Sequence, residues 1–447
     1  MRRHGWVKRM QAVGRPTRRL GALAVLAAVT LGASACGSSD TTDTATGTAT
    51  AATSASGGAS GTLKVAFPAT AQAGWQKVID DFEKANPDVK VNATFAPFAS
   101  FFQLVSTQLQ ANAGPDVFYV PPGSSLSLSL QNAAANGTLA PLDDRPFAED
   151  IDPAYKDIVT HDGKVYGLVN GVFTSFMLVN EDKFNELGLT VPKTMDELMA
   201  MCKTITDKGL TPVAIGGGFP PDMVNLMGML LPNYVDGPDP SWIDQRNEDK
   251  VTFADSKGWR TALQRVVDLK DAGCFDKGVA GTSRESATAA FASGKALMYP
   301  IIQPQLATVL AANPSFEWTV APLPGDGPDT TFLSTQVDPL VGINAKTKNK
   351  ALADAFIDFV ATPEESRAYN EAQHTVSPAD FTQGELPEFM APLADYFKPG
   401  GNNVVGEPND WKSASTNTTL STDLAGLLTG QKSVDQILAD LDDTYGK

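Results

Sequence analysis

Histidine and cysteine are scarce in this chain of 447 residues, which contains three of each. Zinc sites are built mainly from these two residue types, and the sequence has no zinc-site spacing, phosphate loop or Gly-x-Ser-x-Gly element. Only His161 and His374 follow the N-terminal segment, which is too few for the common acid–base sites. The sequence therefore predicts no metal site, no cofactor and no enzymatic activity.

The sequence also lacks an apolar run long enough to cross a membrane. The run from Leu20 to Leu31 has twelve residues, whereas a spanning helix needs roughly 20. No acidic residue precedes this run, and seven basic residues do: Arg2, Arg3, Lys8, Arg9, Arg15, Arg18 and Arg19. A basic segment followed by a short apolar core is typical of a secretory signal peptide, which we expect at residues 1–35.

A lipid attachment site is predicted directly after this segment. Leu31-Gly-Ala-Ser-Ala-Cys36 resembles a bacterial lipobox, in which the cysteine is lipidated and becomes the new N-terminus. Ala33 stands where the motif usually has leucine, and the alternative is an ordinary secretory signal with an incidental cysteine. Arg18-Arg19 fits the twin-arginine pattern poorly, which favours general secretion. Residues 36–60 then form a lipidated cysteine and a flexible linker, because their Gly, Ser, Thr and Ala cannot bury a core.

Acidic residues outnumber basic ones, and the formal net charge is −16. Loss of the seven basic residues before Cys36 takes this charge to −23, since that segment has no Asp or Glu. Such a charge keeps a protein soluble and argues against nucleic acid or anionic lipid as a partner. We therefore expect an extracytoplasmic protein held at the outer face of the cell membrane by its lipid anchor only.

The periodicity of the body predicts strands that alternate with helices. Residues 63–67 and 89–95 alternate as strands, and 116–120 is a short buried strand. Apolar residues at helical spacing fill 75–82 and 102–109 between them. Strands separated by helices pair in parallel, which predicts an α/β domain with its ligand edge at the carboxyl ends of the strands.

The second half of the body repeats this pattern. Thr194 and Glu197 form a capping box before a helix that contains Cys202, and Gly273 ends another helix just before Cys274. Export places both cysteines in an oxidising compartment, so we predict a Cys202–Cys274 disulfide, with two buried free thiols as the alternative. Further apolar helical stripes lie at 352–360 and 433–441.

Several local patterns follow one another along residues 61–447 in an order that resembles a known family. They are the runs 82–91, 114–119, 162–167, 178–184, 188–198, 291–298, 322–325, 342–345 and 349–356. Together they are similar to the extracellular solute-binding proteins of sugar ABC importers, the family 1 group that contains maltose-binding protein.

This resemblance implies a two-lobed, periplasmic-binding-protein-like (type II) α/β fold with a hinge and an interlobe cleft. It implies a first lobe at 61–173 plus 301–361 and a second lobe at 174–300 plus 362–447. The expected function is capture of a sugar or oligosaccharide in the cleft by a monomer that delivers it to the permease subunits of an ABC transporter. Hinge closure around the solute then signals loading to the importer.

Sugars favour aromatic platforms with polar side chains beside them, so we predict ligand-binding residues at strand ends and loops. Trp411 is the first choice, and Phe173 and Gln303 lie at the hinge crossings that the resemblance implies. For each aromatic residue the alternative is ordinary packing within a lobe. The predicted set is Phe67, Gln72, Tyr119, Phe173, Phe219, Asp222, Tyr299, Gln303, Asp338, Asp410 and Trp411.

Two other features limit these predictions. Val120-Pro-Pro-Gly123 stands where the best-known maltose binder has a stacking tryptophan and charged sugar contacts, which argues against maltose itself. Gly216-Gly-Gly218 offers backbone donors to a ligand, but a glycine turn after a strand is the more common meaning. The alternatives are the same fold with a polyamine or peptide as cargo, or an anchored carbohydrate-active enzyme with a carboxylate pair.

Overall fold

The computed structural model describes residues 60–405, 411 and 414–445. The predicted signal peptide, Cys36 and Asp410 lie outside the described residues. Within these ranges no helix is both long enough and apolar enough to span a membrane.

The described strands have between two and nine residues. They are β1 (Gly61–Pro68), β2 (Val89–Ala96), β3 (Val117–Val120), β4 (Thr160–His161), β5 (Lys164–Val165), β6 (Leu168–Val169), β7 (Val172–Asn180), β8 (Thr211–Val213), β9 (Ala296–Ile302), β10 (Trp318–Ala321), β11 (Leu333–Val337), β12 (Leu340–Ile343) and β13 (Asn403–Val405).

The described α-helices lie between or after these strands, in several places as runs of consecutive helices. They are α1 (Gln72–Ala85), α2 (Phe98–Gln110), α3 (Leu130–Ala135), α4 (Pro153–Val159), α5 (Glu181–Leu187), α6 (Met195–Thr206), α7 (Pro220–Leu231), α8 (Trp242–Asn247), α9 (Lys257–Asp271), α10 (Arg284–Ala292), α11 (Leu306–Ala311), α12 (Lys350–Val360), α13 (Pro363–Gln373), α14 (Pro378–Gln383), α15 (Ala414–Thr429) and α16 (Val434–Thr444).

The first sheet has the strand order β2-β1-β3-β12-β6. β1 pairs in parallel with β2 and β3, because α1 and α2 provide the crossovers that parallel neighbours need. These helices bury Trp75, Phe82 and Phe101 against the sheet. The predicted order β-α-β-α-β is confirmed.

The second sheet has the order β13-β11-β7-β9-β8, and β10 also pairs with β7. All nine residues of β7 are buried, because helices cover both faces of the sheet. Met177 and Val179 lie in a core with α6, α7 and α9, whereas Phe176 and Leu178 lie in a core with α10 and α11. Alternate side chains of one strand therefore serve two layers of helices.

Local signals set the bounds of α6 as the sequence indicates. The Thr194 hydroxyl accepts a hydrogen bond from the Glu197 backbone N–H at 3.1 Å, and the Glu197 carboxylate accepts one from the Lys193 N–H at 2.7 Å. Gly209 has a φ of +77°, a conformation that favours glycine and turns the chain toward β8. The predicted helix is confirmed.

Cys202 on α6 and Cys274 after α9 form a disulfide, with 4.8 Å between their Cα atoms. Both side chains are buried in the core that covers one face of the second sheet. The predicted bond is confirmed, and the alternative of two free thiols is wrong.

The hydrophobic cores divide the chain at other positions than the expected lobe boundaries. β10 and β11, at residues 318–337, were expected in the first lobe but pair with β7 of the second sheet. α13 was expected in the second lobe, but its Tyr369 packs on Trp75 of α1 at 4.7 Å between ring centroids. The difference arises because β9 leads into two further strands of the second sheet before the chain returns to the first.

Candidate functional site

The chain passes between the two sheets after β6 and after β11, and Val172, Val337 and Val376 lie side by side at these crossings. Val172 pairs with Val337 and exchanges two backbone hydrogen bonds with Val376, at 2.9 and 3.0 Å. β9 ends beside the start of β7, and β12 begins beside the end of β3. The carboxyl-terminal edges of both sheets therefore adjoin these crossings, and this is the edge where α/β folds bind ligands.

The edge of the first sheet presents one exposed aromatic ring. Phe98 begins α2 and is separated from β2 by Pro97; it is 49% exposed, and its ring centroid lies 6.4 Å from that of Tyr119. Gln72, the first residue of α1, is also exposed there. The predicted residue Phe67 instead lies in the core, stacked on Trp75 at 3.8 Å.

Asp338 lies at the crossing between β11 and β12. The residue is half-buried, but its Oδ1 atom is enclosed and has no hydrogen-bond partner among the described residues. Burial raises the pKa of this carboxyl group to about 7, against a smaller lowering by the hydrogen bond that the Tyr119 hydroxyl donates. An enclosed acceptor without a donor is unusual in a folded protein, and a ligand hydroxyl or a proton on the carboxyl group would satisfy it.

Phe173 and Gln303 also lie at the crossings. The Gln303 side chain is fully buried; its Oε1 atom accepts from the Thr174 N–H at 3.1 Å and its Nε2 atom donates to the His374 carbonyl at 2.6 Å. Phe173 is largely buried within β7. The amide of Gln303 therefore joins backbone segments to one another.

The edge of the second sheet presents a cluster of Phe219, Asp222 and Arg284. Phe219 lies in the loop between β8 and α7 and is 38% exposed. The Arg284 guanidinium carbon lies 4.5 Å from the centre of the Phe219 ring. Arg284 Nε donates to Asp222 Oδ1 at 2.8 Å, and one terminal nitrogen donates to the same oxygen. An aromatic ring and an ion pair are thus fixed together.

Three glycines bring this cluster together. A Cβ atom on Gly216 would collide with Asp222 Oδ2, and one on Gly217 would collide with the Val279 carbonyl. One on Gly218 would lie 2.9 Å from the Gly281 carbonyl carbon. Glycine therefore lets this loop pack closely against the segment that leads into α10 and Arg284.

The remaining predicted residues pack inside the second lobe. Tyr299 is 2% exposed, with its hydroxyl 3.2 Å from that of Thr288. Trp411 is 3% exposed and packs on Trp259, with ring centroids 5.8 Å apart. Its carbonyl accepts a hydrogen bond from the Ser124 hydroxyl at 3.0 Å, which links this part of the second lobe to the loop after β3.

Sequence reasoning missed Phe98 and Arg284. Phe98 follows Pro97 at the end of a predicted strand, and this position at the ligand edge was a usable signal. Arg284 gave no local signal, because it is 62 residues from Asp222 in the chain.

Two α/β lobes joined by adjacent crossings, with ring and polar side chains at the facing edges, define the two-lobed binding-protein class. The family profile "Bacterial extracellular solute-binding protein" matches residues 68–366, and the chain belongs to this family.

Curated relatives agree with this membership. The chain is 25% identical over 370 residues to a "Multiple sugar-binding protein" of Streptococcus mutans, a match that covers 79% of this chain and 85% of that protein. It is 29% identical over 123 residues to the osmoprotective compounds-binding protein GgtB of Synechocystis, which covers 26% of this chain and 28% of the relative.

Solved structures share the fold. The raffinose complex of RafE, a protein of Streptococcus pneumoniae, superposes with a TM-score of 0.72 at 22% identity and covers 87% of this chain and 99% of that one. The acarbose-binding receptor GacH of Streptomyces glaucescens gives 0.69 at 22% identity, covering 86% and 97%. The two-lobed fold with an interlobe cleft, expected from the sequence, is confirmed.

Proposed function

We propose that this protein captures a carbohydrate in the interlobe cleft and delivers it unchanged to the permease subunits of an ABC importer. The observation that carries the proposal is an exposed phenylalanine on each sheet edge, Phe98 beside the Tyr119 ring and Phe219 beside the Arg284 guanidinium group. Sugar rings combine apolar C–H faces with hydroxyls, and this combination of side chains matches both.

The proposed mechanism is closure of the lobes at these crossings. A sugar that touches both edges binds the closed form better than the open form, and so shifts the equilibrium toward closure. Backbone hydrogen bonds join Val172 to Val376 and Gly171 to Asp338, so the crossings form one narrow connection. Closure alters the paired lobe surfaces, which is the signal the importer needs.

The cleft favours a neutral sugar over the alternative cargoes. A polyamine needs unpaired carboxylates, whereas Asp222 is paired with Arg284 and burial raises the pKa of Asp338 to about 7. A glycosidase needs two carboxyl groups with access to one bond, and one oxygen of each of these residues is enclosed.

We also propose a lobe division that follows the cores: 61–172 with 338–383, and 173–337 with 384–445. The lipid on Cys36 would hold both lobes at the outer face of the membrane through the linker of residues 37–60. A basic start, a short apolar core and the lipobox-like residues support this anchor.

The test is thermal unfolding of the chain without its signal peptide in the presence of raffinose, acarbose, a chitin oligosaccharide, spermidine and a tripeptide. A ligand that binds only the folded state stabilises it by about 2.7 kcal/mol at one hundred times Kd. We expect stabilisation by at least one sugar, recovered unchanged. Stabilisation by spermidine or the tripeptide alone would refute a carbohydrate cargo, and conversion of the sugar would make the protein an enzyme.

A further inference from the structure

Arg284 is the one cation held against an exposed aromatic ring at the described sheet edges. It begins α10, and its side chain is 29% exposed. The guanidinium group covers one face of the Phe219 ring at 4.5 Å, so only the rest of that ring remains open to the cleft. The exposed part of the cluster is therefore both apolar and cationic.

The three nitrogens of the Arg284 guanidinium group differ in their hydrogen bonds. Nε and Nη2 both face Asp222 Oδ1, and after rotation of its amide Gln305 accepts from the same two nitrogens at 3.1 and 2.8 Å. Nη1 has no hydrogen-bond partner among the described residues. Because the guanidinium group is planar and rigid, fixing two of its nitrogens also fixes the direction in which Nη1 donates.

Asp222 is placed behind this group. Its side chain is only 6% exposed, and its Oδ2 atom is enclosed beside Gly216 with no partner among the described residues. A ligand at the cleft surface would therefore meet Arg284 and Phe219 before it met this carboxylate. The negative charge of Asp222 balances the positive charge of Arg284, so the cluster of Phe219, Asp222 and Arg284 carries no net charge.

We propose that Arg284 is a ligand-contacting and specificity-determining residue. Its Nη1 atom donates a hydrogen bond to a sugar hydroxyl while the open part of the Phe219 ring contacts the sugar C–H face. Asp222 is a positioning residue that orients Arg284 and, by neutralising it, makes the site prefer neutral carbohydrates to anionic ones. This inference rests on the proposed carbohydrate-binding function.

The experiment measures raffinose affinity by calorimetry for the wild type, Arg284→Lys and Asp222→Asn. Lysine keeps the charge, but its single ammonium group cannot pair with Asp222, lie against the Phe219 ring and donate a hydrogen bond to the sugar at the same time. We therefore expect raffinose binding to be at least about tenfold weaker. Galactose and galacturonic acid, which differ at C6, are then used as competitors against raffinose. Asp222→Asn leaves the charge of Arg284 unbalanced, so the preference should move toward galacturonic acid by about tenfold.

Arg265 provides the matched control. Its guanidinium group lies 5.9 Å from the Tyr234 ring and pairs with Asp268 and Asp326 at 3.0 and 2.8 Å, the same chemistry as at Arg284. It lines a groove of about 680 Å³ between α9 and α16, not an edge at the crossings. Arg265→Lys should leave raffinose affinity and the preference between the two competitors unchanged.

The outcomes separate the inference from the proposed function. If the wild type binds raffinose and Arg284→Lys binds it equally well, the inference is wrong and the function stands. If Asp222→Asn loses affinity without a change of charge preference, Asp222 is structural only and the specificity claim fails. If the wild type binds another sugar of the panel instead of raffinose, the variants are compared with that sugar, and an unchanged affinity of Arg284→Lys overturns the inference; the proposed function fails only if every sugar of the panel fails. Unfolding temperatures without sugar show whether each variant folds.

Discussion

Asp338 shows how the environment of one residue gives the molecule a pH dependence. Its carboxyl group is shielded at the crossing, with the Tyr119 hydroxyl as the hydrogen-bond partner, and burial raises its pKa to about 7. In the unfolded chain an aspartate has a pKa near 3.9. Between these two values the folded protein holds a proton that the unfolded chain has lost.

We predict that Asp338→Asn removes a fall in stability between about pH 4 and pH 7. In the wild type the unfolded chain binds fewer protons in this window, so the free energy of unfolding falls as pH rises, by up to roughly 1.4 kcal/mol per pH unit. Asparagine does not ionise, so the free energy of unfolding of the variant should rise relative to that of the wild type as the pH increases to 7. Urea unfolding at pH 4.5, 6 and 7.5 measures this, with the exposed Asp329→Asn as a control; parallel curves for wild type and Asp338→Asn would contradict it.

Elements that depend on local sequence were predictable. The alternation in β1 and β2, the spacing in α1 and the Thr194 cap of α6 are short-range signals, and each gave the observed element. Burial at strand ends was not predictable in this way, because successive side chains of a strand face opposite sides and only the assembled sheet decides which side is covered. Tyr299, inside β9, is predicted as a ligand contact but lies in the core, and Trp411, predicted as one from its position in a polar loop, also packs in the core.

Prediction of the candidate site was limited more than prediction of the helices and strands, because the site depends on tertiary structure. Phe219 and Asp222 were selected from the sequence, but Arg284 was not, since it reaches them through the close packing of Gly216, Gly217 and Gly218 against residues 279–284. From the sequence alone a run of glycines indicates only a turn, because the residues that pack against it are far away in the chain. The candidate site was therefore only partly predictable.

We predict that Gly217→Ala separates the two segments that form the cluster. The added Cβ would overlap the Val279 carbonyl and lie 3.0 Å from a Leu428 methyl carbon, so the backbone has to shift. Overpacking of this kind costs about 1–3 kcal/mol. Urea unfolding should show this loss, with weaker sugar binding because Arg284 moves. Gly281→Ala is the control, since nothing lies within 4 Å of its added Cβ; equal stability of the two variants would refute the packing argument.

At the scale of the whole molecule, the proposed lobe closure and the proposed membrane attachment would be separate functions. Val172, Val337 and Val376 lie side by side where the lobes join, so the proposed hinge movement there would change the cleft while each core stays intact. The proposed attachment would depend on Cys36 and the linker, which come before β1 in the sequence. If the seven basic residues before Cys36 are removed, the remaining net charge of −23 gives no electrostatic attraction to anionic lipid, so the proposed attachment would come from the lipid itself.

We predict that Cys36→Ser releases the protein from membranes. Each buried CH₂ of an acyl chain contributes about 0.8 kcal/mol to membrane binding, so loss of the acylated thiol removes the attachment and leaves an acidic body that headgroups repel. Fractionation should find wild type with the membranes and the variant in the soluble extracytoplasmic fraction. The double variant Cys202→Ser, Cys274→Ser is the control, because it removes the disulfide cysteines and leaves Cys36 in place. If Cys36→Ser stays with the membranes after a high-salt wash, the anchor lies elsewhere; if it is released and still binds sugar, capture is independent of attachment.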